Sequence, residues 1–271
     1  MRLQIRHKTE YRYAAPVAYS IQTLRLSPRA HAGLAILGWR VEADGRRDLP
    51  SYVDGYGNLV HCHSVNRRHD SVSLSVEGEV ETTDSAGVLR GQAETLPPSF
   101  FLRQTALTQP DAAIAAMADN AARGRTALDS LHDLMSAVHE QLEYQTGRTD
   151  TTTPASEALR QGAGVCADHA HVFIAGARHL GLPARYVGGY LWTGADGQEY
   201  QASHAWAEAY VPDLGWVGFD PANRLCPTDA YVRTAVGLDY HAAAPASGVW
   251  RGDSSETLAV RVAVTAAVGA Q

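Results

Sequence analysis

The sequence predicts an α+β protein, with an N-terminal β-sandwich followed by helices packed on an antiparallel sheet. Three observations carry this. Residues 2–95 read as short alternating apolar and polar runs separated by turn residues, which is strand periodicity. Residues 111–180 switch to apolar spacings of three and four, which is helix periodicity. Strand periodicity then returns over residues 184–220. Between the first two regimes, residues 86–110 carry Gly87, Gly91, Pro97, Pro98 and Pro110 with little periodicity. The boundary therefore falls there, giving a β-rich domain over 1–95 and a core over 96–271 that ends in a C-terminal strand.

Composition narrows the function. A chain of 271 residues, 45% hydrophobic and 19% charged with a formal charge of −6, is expected to be a soluble globular protein of two domains. It offers no electrostatic case for nucleic acid or an anionic membrane. Cys62, Cys166 and Cys226 are too few and too scattered for a disulfide framework. The start has basic residues without the apolar stretch of a secretory signal, so a cytoplasmic location is expected.

Taken in order, Leu3, Ile5, Tyr11 and Tyr13 share one face of a first extended pair, and Ile21, Leu24 and Leu26 belong to the next, ended by Pro28. Residues 35–43 and 51–65 follow, the second interrupted by the turn sequence Asp54-Gly-Tyr-Gly-Asn58. Val72, Leu74, Val76 and Val80 then alternate. His61, Cys62 and His63 are metal-ligand types, but on a strand Cys62 faces away from both histidines, so they read as an ordinary strand. Past the boundary, residues 111–122 form an alanine-rich helix before Gly124. Leu128, Leu131, Met135, Val138 and Leu142 stripe a second. Thr153-Pro154 fits an N-cap with proline at the first helical position, for a short helix through Arg160.

Gly162 and Gly164 then turn the backbone sharply and deliver Cys166 to the start of a helix buried through Val172, Phe173, Ile174, Ala177 and Leu180. Gly181 and Pro183 stop it. Free N–H groups and the positive helix end favour thiolate over thiol at such a position, and the thiolate is the nucleophile. Next come a strand over residues 184–192, a loop at Gly194-Ala-Asp-Gly197, and strict alternation from Ser203 to Val211. His204, Trp206, Glu208 and Tyr210 share one face of that strand. The turn Pro212-Asp-Leu-Gly215 leads into Trp216–Asp220. A hairpin centred near Asp213 sets Asp220 opposite or diagonal to His204.

A lone cysteine, strand histidine or strand-end aspartate is usually structural. In this order, Cys166, His204 and Asp220 fill the three roles of thiol catalysis: nucleophile, proton-shuttling imidazole and the group that orients it. Asp168 is placed to support the cysteine turn. Asp168, His169 and His171 cannot all face one cleft. Trp192, Trp206 and Trp216 are either core residues or walls of an acyl-binding cleft. Cys226 has no base beside it and reads as structural.

The segments Gly164-Val-Cys-Ala-Asp-His-Ala-His171, Gly181-Leu-Pro-Ala-Arg-Tyr-Val-Gly-Gly-Tyr190, Ala202-Ser-His-Ala-Trp-Ala-Glu208 and Gly215-Trp-Val-Gly-Phe-Asp-Pro-Ala-Asn223 resemble those of bacterial transglutaminase-like proteins, within the papain-like cysteine enzyme superfamily. Residues 2–65 resemble the β-rich N-terminal region that accompanies this core. The resemblance implies a papain-like core, Cys166 as nucleophile, His204 as base and Asp220 as its partner, with no metal or cofactor. Two departures stand out. Ala167 and His169 replace the family's frequent glutamine and phenylalanine, and Gly237-Leu-Asp-Tyr240 replaces Gly-Arg-Asp-Tyr, with Arg233 a candidate spatial substitute for the missing charge.

The function these features imply is hydrolysis of a peptide or amide through a thioester on Cys166. Transglutaminase-type acyl transfer to an amine is the alternative. Readings of another class are a metal module on Cys166, His169, His171 and His204, whose spacing matches no closed zinc motif, and a non-catalytic interaction module on the same fold.

Overall fold

The computed structural model describes residues 1–194, 199–200 and 203–266. Residues 195–197 of the expected Gly194–Gly197 loop lie outside them. The N-terminal part contains β1 (Arg2–Val17), β2 (Tyr19–Ser27), β3 (Leu34–Ala43), β4 (Ser51–Val53), β5 (Leu59–Val65) and β6 (His69–Thr82). After a 3-10 turn at Pro98–Leu102 come α1 (Ala112–Ala121), α2 (Ala127–Gln141), β7 (Glu143–Tyr144), α3 (Ala155–Gln161), β8 (Ala163–Gly164) and α4 (Cys166–His179). The remainder is β9 (Ala184–Leu191), β10 (Glu199–Tyr200), β11 (His204–Val211), β12 (Gly215–Phe219), β13 (Tyr231–Gly237), α5 (Tyr240–Ala243), β14 (Ala246–Arg251) and β15 (Glu256–Ala266). No helix among the described residues is long and apolar enough to cross a membrane.

The first extended pair expected from the sequence is one strand of 16 residues. Leu3, Ile5, His7, Thr9, Tyr11 and Tyr13 are all buried and their neighbours face outward, so nothing interrupts the alternation. Ile21 lies on the face opposite to Leu24, because Ser20 and Gln22 take the inner positions of β2. Gly78 breaks the alternation of β6 where the Trp39 ring lies on it, 2.1 Å from where a Cβ would sit. Thr153 does not cap α3. The cap is Pro154, one residue on, and Thr153 Oγ1 instead accepts from the Asp150 N–H at 3.0 Å in a turn.

The C-terminal strands, grouped above with the core, return to the N-terminal sheets. β15 pairs antiparallel with β1 from Leu3↔Ala266 to Tyr13↔Glu256, giving the sheet order β10-β15-β1-β6-β3. β14 pairs with β2 in the order β14-β2-β5-β4. The two sheets pack around Tyr11, Tyr13, Leu24, Leu26, Val72 and Leu74. The opposite end of the same β1 face, Leu3 and Ile5, packs on Tyr190 and Val232 of the core. One strand face thus serves two hydrophobic clusters, and His7 and Thr9 fall between them.

The core sheet runs β12-β11-β9-β13. Ala205, Ala207 and Ala209 turn one face to α4, and these small side chains let the helix carrying Ala170, Phe173 and Ile174 lie close. The other face buries charge. Glu208 bridges Arg185 Nε at 2.6 Å and Arg233 Nε at 2.8 Å, and Arg185 also holds Glu94 of the linker through two bonds. Arg233 is therefore committed to Glu208. The backbone at Leu238, in the departure from Gly-Arg-Asp-Tyr, is braced by Arg178, whose Nη2 donates to the Leu238 carbonyl at 2.7 Å.

Burial alone would raise the Glu208 carboxyl, but Arg233 and Arg185 outweigh it and hold it down at about 2. A depressed carboxyl stabilises above its unfolded value, near 4.5, and the stabilisation fades as pH falls through about 2. Glu208→Gln is expected to cost about 3–5 kcal/mol in urea denaturation at pH 7, because two buried guanidinium groups lose their counter-charge. The difference from wild type should shrink on acidification below pH 4.5.

Candidate active site

Cys166 opens α4 and is 8% exposed. The residues ahead of it build that placement. Gly162 ends α3 in the left-handed region at φ 67°, and β8 runs parallel to β7 with Gly164 beside Tyr144. A Cβ on Gly164 would stand 2.7 Å from Asp168, so this glycine is required by close approach. Asp168 Oδ2 accepts from the Val165 N–H at 2.7 Å and from Thr149 Oγ1 at 2.6 Å, closing the helix entrance as the sequence expected. Burial raises the Asp168 carboxyl, and these donors offset only part of the rise.

The two histidines on α4 are structural in their contacts. His169 sets Nδ1 3.0 Å from the Val165 carbonyl and Nε2 3.0 Å from the Leu142 carbonyl, tying the helix entrance to the segment before β7. His171 Nε2 accepts from the Tyr240 N–H at 3.1 Å, and complete burial lowers this imidazole to about 4, keeping it neutral. Among the described residues, no three His, Cys, Asp or Glu side chains converge as a metal site.

His204 opens β11. The hairpin register Ala207↔Phe219 to Val211↔Gly215 centres on Asp213 and carries Asp220, just past β12, onto the diagonal of His204. The side chains meet: His204 Nε2 lies 2.6 Å from Asp220 Oδ2. Asp220 is fully buried and takes further hydrogen bonds from Tyr231 Oη at 2.7 Å, Asn223 Nδ2 at 2.7 Å and the Asn223 N–H at 3.2 Å. Burial would raise its carboxyl. His204, Asn223 and Tyr231 together hold it below its ordinary value. For His204 burial would lower the imidazole, but hydrogen bonds and charge from Asp220 and Cys166 push it up to about 10. With Nε2 taken by Asp220, Nδ1 is the nitrogen left to face the Cys166 sulfur. The structure thus brings Cys166, His204 and Asp220 together in the expected order. Cys62 is half-buried on β5, and burial pushes the Cys226 thiol up.

Two cavities meet at His204. One, of about 300 Å³, reaches Cys166 and is walled by His7, Tyr11, Tyr186, Tyr240, Leu258 and Val260 among others. The second, of about 450 Å³, is lined by Tyr144, Tyr190, His204, Asn223 and Val262. The tryptophan cleft is not formed. Trp206 is buried against Val187 and Tyr231, Trp216 carries the Arg185 guanidinium 3.8 Å from its ring centroid, and Trp192 packs against the cluster that contains Leu3, Ile5 and Tyr190. Tyrosines and aliphatic residues from both ends of the chain wall the Cys166 cavity instead.

Sequence reasoning gave no role to Tyr231 or Asn223. Asn223 had a local signal, an Asp-x-x-Asn turn in which one side chain folds back on the other. Tyr231 had none, because its strand pairs with β9 rather than with the strand before it.

A thiol at a helix start, an imidazole on the facing strand and a buried carboxylate behind it make this a papain-like α+β core. Two family profiles match the chain: the transglutaminase-like superfamily over residues 115–221, and the bacterial transglutaminase-like N-terminal region over residues 3–81. The chain belongs to the transglutaminase-like superfamily, with the bacterial N-terminal region ahead of its core. An uncharacterised protein of Mycobacterium leprae is 29% identical over 282 residues, covering 97% of this chain and 98% of the relative. Another from Mycobacterium tuberculosis is 29% identical over 273 residues, covering 92% and 87%. Among solved structures, a candidate cysteine protease from Cytophaga hutchinsonii matches with a TM-score of 0.74 over 100% of this chain and 92% of its own, at 22% identity, which establishes a shared fold.

The raised imidazole has a defined pH signature. A group raised on folding stabilises fully below its unfolded value, near 6.5, and the stabilisation is lost as pH rises through about 10. Imidazole ¹⁵N NMR is expected to find His204 protonated at pH 8 in the wild type. In Asp220→Asn its titration should fall by about one to three units. A His204 that titrates near 6.5 in the wild type would contradict the geometry.

Proposed function

We propose that this protein is a cysteine-dependent amide or peptide hydrolase that works through a thioester on Cys166. The observation that carries the reading is the placement of His204, with Nε2 against buried Asp220 and the same ring hydrogen-bonded to Cys166 at the head of α4. Sulfur, as thiolate, adds to the amide carbonyl carbon. The first-turn N–H groups of Cys166 and Ala167, which have no carbonyl four residues back within the helix, offer donors to the developing oxyanion. The C–N bond breaks as protonated His204 gives its proton to the leaving nitrogen. Neutral His204 then takes a proton from water as its oxygen adds to the thioester. C–S cleavage returns the thiolate beside a protonated imidazole.

Hydrolysis is favoured over transfer to an amine because transfer requires water to be held off the thioester. Tyr144, 56% exposed, lines the larger of the two cavities together with His204, which supports access of water to the imidazole. The three cysteines are all free, which supports the reducing, cytoplasmic setting.

Iodoacetamide labelling read by peptide mass spectrometry is expected to modify Cys166 well ahead of Cys62 and Cys226 at neutral pH. Equal rates would remove Cys166 as the nucleophile. Against a peptide and amide library, Asp220→Asn is expected to lower kcat by about a thousandfold or more with the fold intact, and Cys166→Ala to abolish turnover. With a large excess of primary amine, free acid should remain the main product. Dominance of the new amide would make the protein a transferase.

A further inference from the structure

The cavity at Cys166 is not made by the core alone. Along β1, His7, Thr9 and Tyr11 face inward, and each lies opposite a residue of β15: His7↔Val262, Thr9↔Val260 and Tyr11↔Leu258. Leu258 and Val260 wall the cavity that holds Cys166, and Val262, two residues further along the same strand face, walls the neighbouring cavity. A single alternating face of β15 therefore runs past the sulfur from one cavity to the next.

The chemistry of attack assigns a side to each cavity. The acyl group stays on the sulfur, and the leaving amine departs beside His204. The cavity that contains Cys166 is thus the acyl side, and the one lined by His204 and Asn223 without Cys166 receives the leaving group.

We propose that the β1–β15 face, through Tyr11, Leu258 and Val260, is the acyl-side selectivity wall of this site, and that it takes an uncharged, apolar substrate side chain. The inference rests on the thioester reading above and adds the substrate class. Among the described residues, no Asp, Glu, Lys or Arg lines this cavity. Of its titratable wall residues, His7 is held neutral, since burial lowers it to about 4 and its nitrogens are spent on Tyr190 Oη at 2.9 Å and Thr9 Oγ1 at 2.8 Å, and burial raises the hydroxyls of Tyr11, Tyr186 and Tyr240, which keep their protons. The positive charge of His204 is already matched by Asp220. A carboxylate in this cavity would lose water and gain no counter-charge, and an ammonium would lose the thiolate's charge once the sulfur is acylated, whereas an aliphatic or aromatic group would bury against tyrosine rings and branched side chains. Gly188, Ala205 and Ala243 leave the floor open for it, and a Cβ on Gly188 would only reach ordinary contact, 3.5 Å from the Ala243 carbonyl.

The test uses the full chain and acetyl-dipeptide chloromethyl ketones bearing two leucines, two phenylalanines, two lysines or two aspartates. These alkylate a thiolate with loss of chloride. Rates at Cys166 are read by peptide mass spectrometry and normalised to iodoacetamide on the same protein. The leucine and phenylalanine reagents are expected to react at least about tenfold faster than the charged pair, the discrimination a hydrophobic pocket supplies. Leu258→Glu should move the normalised preference toward the lysine reagent, and Val260→Lys toward the aspartate reagent, each by about fivefold or more. Four wild-type rates within about twofold of one another would overturn the inference while leaving the thioester reading intact. So would a preference untouched by both variants. Failure of iodoacetamide to single out Cys166 would overturn the thioester reading and this inference with it.

Discussion

The site depends on a charge kept out of water. Asp220 is fully buried, and a bare carboxylate there would pay a heavy desolvation penalty unless its lone pairs were occupied. Four donors occupy them: the His204 ring, the Tyr231 hydroxyl, and the amide side chain and backbone N–H of Asn223. Together they keep Asp220 ionised, and an ionised Asp220 keeps His204 charged and fixed in rotation. The tyrosine is suited to this work. Burial and the neighbouring carboxylate both raise its hydroxyl, so it remains a donor.

Getting that pair to Cys166 is a problem in backbone placement, and the core solves it with small residues. The alanine face of β11 lets α4 approach, Gly164 admits Asp168, and Asp168 pins the first N–H of the turn. The opposite sheet face is held by the Glu208 ion-pair group, which also anchors the linker through Glu94. The N-terminal sheets then seat on this core through the front half of β1, while its back half closes the sandwich. Because β15 pairs with β1 from Leu3 to Tyr13, the chain's last described strand forms part of the wall around Cys166.

The parts of this arrangement legible in the sequence are those set by local rules. A glycine turn before an apolar helix placed Cys166. Period-two alternation placed His204 on a strand face, and counting outward from the Asp213 turn placed Asp220 opposite or diagonal to it, which the register resolves as the diagonal. Non-local contacts were not legible. Nothing near residue 258 signals a partner at residue 11, and the polar–apolar alternation of β1 looks the same whether the strand is continuous or folded into a pair. The tryptophans could be read either as core or as a cleft, and Trp206 and Trp216 are consumed in packing and in stacking under Arg185. Thr153 lost the helix cap to its neighbour because Asp150 offered its backbone N–H in a competing turn. No local pattern distinguishes these outcomes, since each is decided by a chain segment far away or by a hydrogen bond of nearly equal strength.

The central claim is that Cys166 carries the acyl group and His204 governs its arrival and departure. Acid-quenched incubation with a peptide and amide library, followed by intact-mass measurement and peptide mapping, tests it most directly. The account expects an acyl adduct on Cys166 that hydroxylamine releases, as a thioester requires, and that is absent from His204→Ala. An adduct on Cys62 or Cys226, or one on Cys166 that forms equally well without His204, would contradict it.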